Sequence, residues 1–211
     1  MSAAEKSGAG RPKSEEKREA IVVAATSLFL SEGFERTAMD SVAKQAGVSK
    51  QTVYSHFKNK ETLYKHVIET KVAQYQLEDV NTIKRPRLAD SLHAFGRQFV
   101  ALISDDEVVS MFRIVIAESR SIPTISQLFY QSGPAKTLLV LRQFLDEVMA
   151  NEKTKPNTTR MAVDFINLLK GDWHLRSLMG AACNLDEESA EKHIAHCVRC
   201  FMKAYELEER V

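Results

Sequence analysis

The sequence predicts an all-α protein: an N-terminal three-helix helix-turn-helix domain, joined by a linking helix to a larger helical bundle. Three observations predict it. Apolar residues recur at three- and four-residue spacing along most of the chain. No stretch sustains the two-residue alternation of a half-buried strand. Glycines, prolines and short capping side chains cut the pattern into segments of helix length. The boundaries expected are 1–13 for a disordered leader, 14–60 for the helix-turn-helix domain and 61–211 for the second domain, with the linking helix over about 59–79.

The leader, MSAAEKSGAGRPK, holds too little apolar surface to order itself. It is either a disordered tail or a basic arm in which Arg11 and Lys13 touch the DNA minor groove or phosphates. A first helix is expected from Ser14, as cap, to Glu32. Its apolar side is Ile21, Ala24, Ala25, Leu28 and Phe29, Gly33 stops it, and Phe34 packs back under the helix-turn-helix. Thr37 is expected to cap a second helix, with Asp40 completing a capping box. Val42, Ala43 and Ala46 are its apolar face. Gly47 then breaks it, because glycine enters the left-handed region without steric cost. Ser49 caps a third helix, made one-sided by Val53, Tyr54 and Phe57. Asn59 caps the linking helix, whose apolar side is Leu63, Tyr64, Val67, Ile68, Val72 and Tyr75.

Asn81–Arg87 reads as a break, with Pro86 in the first turn of the next helix. Leu88, Leu92, Phe95, Phe99 and Leu102 mark that helix. Asp105 and Asp106 start another. Its FRIVIA run could pass for a strand, but its flanks keep helical spacing. Pro123 opens a short helix through Phe129, and Gly133–Pro134 starts one through Met149. Asn157 begins a helix from Thr158 to about Leu178, and Asp186 caps the last, to about Tyr205.

Composition bounds the function. Apolar residues are 44% and charged residues 27%, ordinary for a soluble domain. The net charge is only +1, but residues 36–65 hold six basic side chains (Arg36, Lys44, Lys50, Lys58, Lys60 and Lys65) against two acids, Asp40 and Glu61. Local sign governs attraction to phosphates. Three cysteines, Cys183, Cys197 and Cys200, argue against a disulfide framework and for a reducing cytoplasm. Neither a signal peptide nor an apolar run of roughly 18 residues is present, so no membrane span is expected.

Two short capped helices around a glycine turn form the unit that sets its second helix in the DNA major groove. Lys50, Gln51 and Thr52 lie in the first turn of that helix. Glutamine can pair with adenine through two hydrogen bonds, worth about 1–3 kcal/mol of discrimination. Tyr54 and His56 lie further along, toward backbone phosphates, although Tyr54 could be a packed surface aromatic. Lys60 sits at a helix N-terminus suited to phosphate. Loss of Lys60 is therefore expected to weaken DNA binding uniformly and to flatten the salt dependence by about one unit. Lys44 and Lys58 are either phosphate contacts or ordinary solvated lysines.

A one-sided reader of this kind works as a two-fold dimer. The dimer surface is sought on the last two long helices: Phe165, Leu168, Leu169 and Leu175 on one, Ile194, Val198, Phe201 and Met202 on the other. A small-molecule pocket is sought among Phe95, Phe99, Phe112, Ile116 and Trp173, with Arg113, His174 and His93 as polar anchors. Aromatics at helical spacing are equally a description of plain core. Arg113 in an apolar stretch needs a partner, either Glu118, Asp172 or an acidic ligand. His193, His196, Cys197 and Cys200 fall on one helical face; one helix rarely supplies a tetrahedral site, so packing is the expectation and no metal or cofactor is assigned. No nucleophile–base pair, phosphate loop or paired carboxylates speak for an enzyme.

The run from Ala43 to Leu63, AKQAGVSKQTVYSHFKNKETL, resembles the N-terminal DNA-binding domain of TetR-type transcriptional regulators, over roughly residues 15–65. The resemblance implies phosphate contacts at Thr37 and Lys60, groove contacts at Gln51, Thr52 and Tyr54, and a backbone contact at His56. Ala38 departs from the pattern, where many members carry a second hydroxyl. It also implies an all-helical homodimer with a ligand-binding C-terminal domain. RIVIAES (113–119), followed by Pro123, Phe129-Tyr130 and Gly133-Pro134, is similar to the AefR-like subgroup, whose members are associated with efflux control. The function implied is a repressor released from a palindromic operator by a small molecule. The alternative is a DNA-binding regulator without an inducer, controlled by abundance or a protein partner.

Overall fold

A computed structural model of the chain describes residues 13–77, 88–151, 156–181 and 185–207. Among these residues there are ten α-helices and no strand. None is long and apolar enough to cross a membrane. Residues 1–12 of the expected leader, the Asn81–Arg87 break with Pro86, the last residues of the expected linking helix and Cys183 lie outside the described residues. The chain divides into two compact units, 1–67 and 68–211. The division falls inside a helix, a few residues later than the boundary expected at 60–61.

The first unit is α1 (Lys13–Arg36), α2 (Met39–Gln45), α3 (Lys50–His56) and the start of α4 (Lys60–Ala73). Lys13 is already helical, so Ser14 is not the cap of α1. Gly33 takes φ 82°, ψ 172° and breaks the helical path where a stop is expected. Ile21, Ala25 and Phe29 of α1 are buried, as are Val42, Val53, Phe57, Leu63 and Tyr64, and the Phe29 and Tyr64 rings meet edge to face at 5.0 Å. Phe34 does fold back: its ring lies 5.8 Å from Phe29 and 5.1 Å from Tyr64. Gly47, at φ 66°, ends α2 with paired bonds from Gly47 N–H to Lys44 O and from Val48 N–H to Ala43 O. Ser49 caps α3 through Thr52 N–H at 3.1 Å, and Asn59 caps α4 through Thr62 N–H at 2.8 Å.

The second unit holds the rest of α4 and α5 (Leu88–Ser104), α6 (Asp106–Glu118), α7 (Pro123–Ser132), α8 (Pro134–Val148), α9 (Thr158–Met179) and α10 (Glu187–Ala204). FRIVIA is helical, inside α6. Asp105, Asn157 and Asp186 cap α6, α9 and α10 through side-chain oxygens. The linking helix is shorter than expected. It ends at Ala73, and Gln76 then takes a positive φ of 51°.

The core of this unit is made by α5, α8, α9 and α10. Phe95, Phe165 and Phe201 are fully buried at its centre. Gly96 allows α5 and α10 to approach closely, since a Cβ there would stand 2.7 Å from Ile194 Cγ2. This packing corrects most of the expected dimer surface. Phe165, Leu169, Ile194, Val198 and Phe201 are core residues of the single chain, and Met202 is half-buried against them. Only Leu168 and Leu175 of that set are exposed, together with Met179. Two aromatic-bearing amphipathic helices bury their apolar stripes first against their own neighbours, which leaves a narrower face outside.

Candidate nucleic-acid interface and effector cavity

The short helix α3 presents Gln51 and Tyr54 to solvent, with Thr52 and His56 half-exposed. Val53 and Phe57 anchor its other side in the core, at 0% and 2% exposure. Tyr54 is 44% exposed, on the surface of α3. Thr52 and Ser49 share a hydroxyl–hydroxyl bond of 2.8 Å, which holds the Thr52 side chain at the helix start. Lys50 donates to Asp40 at 2.9 Å. Both partners are exposed, and such a surface pair holds little energy against exchange with a phosphate.

Two expected phosphate contacts are corrected. Thr37 does not cap α2. The cap position is Ala38, without a side-chain bond, while Thr37 is 1% exposed and donates its hydroxyl to Gly33 O at 2.7 Å. Lys60 is also committed inward. Its ammonium donates to Phe34 O at 2.7 Å and Glu35 O at 3.0 Å, and lies 4.5 Å from the Phe34 ring centroid. These carbonyls belong to the last turn of α1, which ends at Arg36, so they lack ordinary helical partners and must be satisfied otherwise. Lys60 thus ties the start of α4 to the end of α1. Lys44 and Lys58 are the freer cations here: both are exposed, with no partner among the described residues. Lys60→Ala is expected to lower the stability of the first unit by about 1–2 kcal/mol, read as a shift in the urea midpoint. An unchanged midpoint with a flattened salt dependence of DNA binding would return Lys60 to a purely phosphate-binding role.

The second unit contains a cavity of about 310 Å³. Its walls come from α4 to α9. Phe99, Leu102 and Ile103 line it from α5, Val108, Met111 and Phe112 from α6, Phe129 and Tyr130 from α7, and Thr137 and Leu138 from α8. Val163, Ile166, Asn167 and Lys170 present one face of α9, and Ile68, Lys71 and Val72 the last turns of α4.

Of the expected lining only Phe99 and Phe112 are in place. Phe95 is core, against Phe99 and Phe165. Ile116 is 60% exposed. Trp173 and His174 lie past a break in α9 at Gly171, so their helical phase does not continue that of Lys170. His174 touches the cavity only through Phe112, ring to ring at 5.7 Å. His93 is drawn to the surface by Glu191, 3.3 Å away. Arg113 pairs with neither Glu118 nor Asp172. Its guanidinium donates to Leu178 O and Ser177 O, the last carbonyls of α9, and Asp172 pairs with Arg176 instead. A cation at a helix C-terminus satisfies orphan acceptors and the dipole together.

Helical spacing did not single out the residues that fix the cavity floor. Lys71 bridges Asp105 at 3.0 Å and Glu107 at 2.8 Å, and Tyr75 donates its hydroxyl to Asp105 at 2.7 Å. Asp105 also caps α6, accepting from Glu107 N–H and Val108 N–H. Burial disfavours the Asp105 charge, but the Tyr75 hydroxyl, the Lys71 ammonium and the cap bonds outweigh it and hold the carboxyl below its ordinary range. Burial, with the bond to Asp105, pushes the Tyr75 phenol up to about 12. Burial also works against the Lys71 charge, yet Glu107 and Asp105 more than offset it and raise the ammonium. The sign of charge alone could have suggested the Lys71–Asp105 pair, but only the fold selects it from many.

The histidine–cysteine face of α10 is explained by the same break in α9. Gly171 takes φ 51°, ψ −166°, which frees carbonyls just before it. His193 Nε2 lies 2.9 Å from Leu169 O, Cys197 donates to Leu168 O at 3.3 Å, and Trp173 Nε1–H also reaches Leu169 O. Burial pushes the Cys197 thiol up to about 11, the environment of a packed thiol rather than of a ligand. His196 and Cys200 face outward as a separate pair. Among the described residues no group of three or more such side chains could hold a metal.

Comparison with known proteins agrees with both halves. Residues 21–67 match the model of the bacterial regulatory proteins of the tetR family, and residues 90–207 match that of the AefR-like transcriptional repressor C-terminal domain. The chain is 34% identical over 86 residues to the HTH-type transcriptional activator FasR of Mycolicibacterium smegmatis, which covers 38% of this chain and 39% of that protein. It is 29% identical over 134 residues to the HTH-type transcriptional regulator RutR of Escherichia coli, covering 64% of this chain and 56% of that one. The chain therefore matches well under two thirds of the length of these relatives. Among solved structures, the flavonoid-responsive regulator FrrA superposes with a TM-score of 0.71 at 33% identity, over 90% of this chain and 97% of that one. A TetR-family transcriptional regulator from Mesorhizobium loti gives 0.77 at 25% identity, over 92% and 98%.

Proposed function

Because the chain belongs to the TetR family, it is a DNA-binding transcriptional regulator and not an enzyme, and we propose that it works as a homodimeric repressor that a small molecule releases from a palindromic operator. The observation that carries the proposal is the place of α4. Ile68, Lys71 and Val72 line the cavity, and the same unbroken helix begins at Lys60, in the unit that holds α3. An occupant that prefers one position of those three side chains biases the position of the whole helix. It acts only through its differential affinity for the DNA-bound and released states.

FrrA, described as responsive to flavonoids, lends support to a small-molecule effector here. Family members typically act as dimers, and Leu168, Leu175 and Met179 supply exposed apolar contacts for one on α9. The AefR-like repressor match over 90–207 supports repression, and the resemblance of RIVIAES (113–119) to that subgroup extends the proposal to efflux genes. FasR is named an activator, so the direction of control is to be read from transcription with and without the protein.

On the DNA side the proposal assigns base contacts to Gln51 and Thr52, with Tyr54, His56, Lys50, Lys44 and Lys58 on the backbone. A footprint on the DNA upstream of the protein's own gene should give a two-fold symmetric site with half-sites about one helical turn apart. Gln51→Ala should weaken binding by about 1–3 kcal/mol, and only on operators that keep the contacted base. A loss equal on all sequences would remove Gln51 from base reading. Sedimentation as a monomer at micromolar concentration would overturn the dimer. Failure of every compound in a thermal-shift screen to release the footprint would favour the regulator without an inducer.

A further inference from the structure

We propose that the molecule taken by the cavity is an apolar acid, a compact hydrophobic body bearing one anionic group, and that Lys170 recognises that group; this rests on the effector reading above. Lys170 is the one lining cation with no hydrogen-bond or ion-pair partner among the described residues. The other lining cation, Lys71, is already neutralised by Asp105 and Glu107. No acid lines the cavity among the described residues.

Most of the wall is apolar, from Phe99, Ile103, Met111, Phe112, Leu138 and Ile166, so the cavity offers the ammonium little solvation. A half-buried charge in such a place is costly unless an opposite charge meets it. Burial accordingly lowers the Lys170 pKa. The titratable neighbour that feels Lys170 is His174, whose pKa is lowered by burial first and by the Lys170 charge second, so it cannot supply the missing anion. Asn167, three residues before Lys170 on α9, adds an amide to the lining. A volume of about 310 Å³ lies at the low end of small-molecule sites. It suits one ring system or a medium-length chain. With its anion at Lys170, the body of such a molecule extends along the apolar wall that includes Ile68 and Val72 of α4.

The test uses matched pairs that differ only in charge, decanoate against 1-decanol and 2-naphthoate against 2-naphthamide, titrated calorimetrically into the full chain and into Lys170→Met. The wild type should bind at least one acid about tenfold or more tightly than its neutral partner, since charge-assisted bonds are the strong ones. Lys170→Met should abolish that preference and leave the neutral compound bound as before. Methionine keeps the length of the side chain without its charge, and an unchanged or higher melting temperature with an intact footprint marks the variant as folded. Equal binding of acid and neutral compound by the wild type would overturn the assignment while leaving a small-molecule regulator standing. So would an acid preference that survives in Lys170→Met. Binding of neither acid overturns it as well, and if the neutral compounds also fail and no screened compound releases the footprint, the effector reading falls with it.

Discussion

Asp105→Ala is expected to lower the stability of the second unit by about 2–4 kcal/mol, measured by urea unfolding at neutral pH. One carboxylate there does three things. It caps α6 through two backbone N–H groups, accepts from Tyr75, and neutralises Lys71 at 3.0 Å. Loss of a cap costs about 1 kcal/mol, and the half-buried Tyr75 hydroxyl left without its acceptor adds a comparable amount. Lys71 keeps Glu107 and softens the loss. The side chain of Asp105 is only 20% exposed, so water does not replace these partners cheaply.

The effect must depend on pH, with a sign set by the shifts. The folded pKa of Asp105 lies below its unfolded value. Its contribution is therefore complete above the ordinary carboxylate range and is lost as pH falls through the folded value. Tyr75 is raised from 10.0 to about 12, so its contribution is complete below pH 10 and fades between 10 and 12. The stability gap between wild type and Asp105→Ala should thus be widest across the neutral plateau and shrink at both ends. A gap that grew on acidification would contradict the network. Because Lys71 lines the cavity on α4 and Tyr75 lies just beyond the end of that helix, the variant should also respond to effector with a smaller change in DNA affinity.

Gly171→Ala should cost about 2–4 kcal/mol in a thermal or urea melt. A backbone at φ 51°, ψ −166° is strained for any residue with a Cβ, by about 1–3 kcal/mol. An added Cβ would also stand 3.2 Å from His193 Cε1, in a place already filled by the bond from that ring to Leu169 O. His193→Ala in the same background should recover only the crowding part of the loss, since the backbone strain remains. A Gly171→Ala protein within about 0.5 kcal/mol of wild type would mean that α9 can straighten without penalty.

The helix-turn-helix was legible because its determinants are local. Ser49, Asn59, Asp105, Asn157 and Asp186 each cap a helix with bonds that close within two or three residues. Gly47 and Gly33 break helices in their own backbone, and Val53 and Phe57 follow the helical period into the core. Thr37 shows the limit of local patterns. A hydroxyl three residues before an acid fits a capping box, but an equally local bond back to Gly33 O, in the last turn of α1, wins.

Contacts between residues distant in the chain were less legible in both units, for a physical reason that they share. Lys60 meets acceptors 25 and 26 residues away, and Arg113 meets acceptors 64 and 65 residues away. A glycine within a helical pattern reads the same whether the helix continues or breaks, and Gly171 breaks, so Trp173 and His174 leave the face that Lys170 begins. Amphipathic spacing tells that a stripe is covered, not what covers it. Phe165, Leu169 and Phe201 have the pattern of an interface and are the core of one chain. The sequence by itself therefore determined the class of fold, nearly every helix and the solvent-exposed face of α3, all written in interactions of short range. Only the tertiary structure decided which stripe becomes core, which carbonyls claim Lys60 and Arg113, and that Lys170 alone faces an apolar cavity uncompensated, because each is a competition among partners distant in the chain.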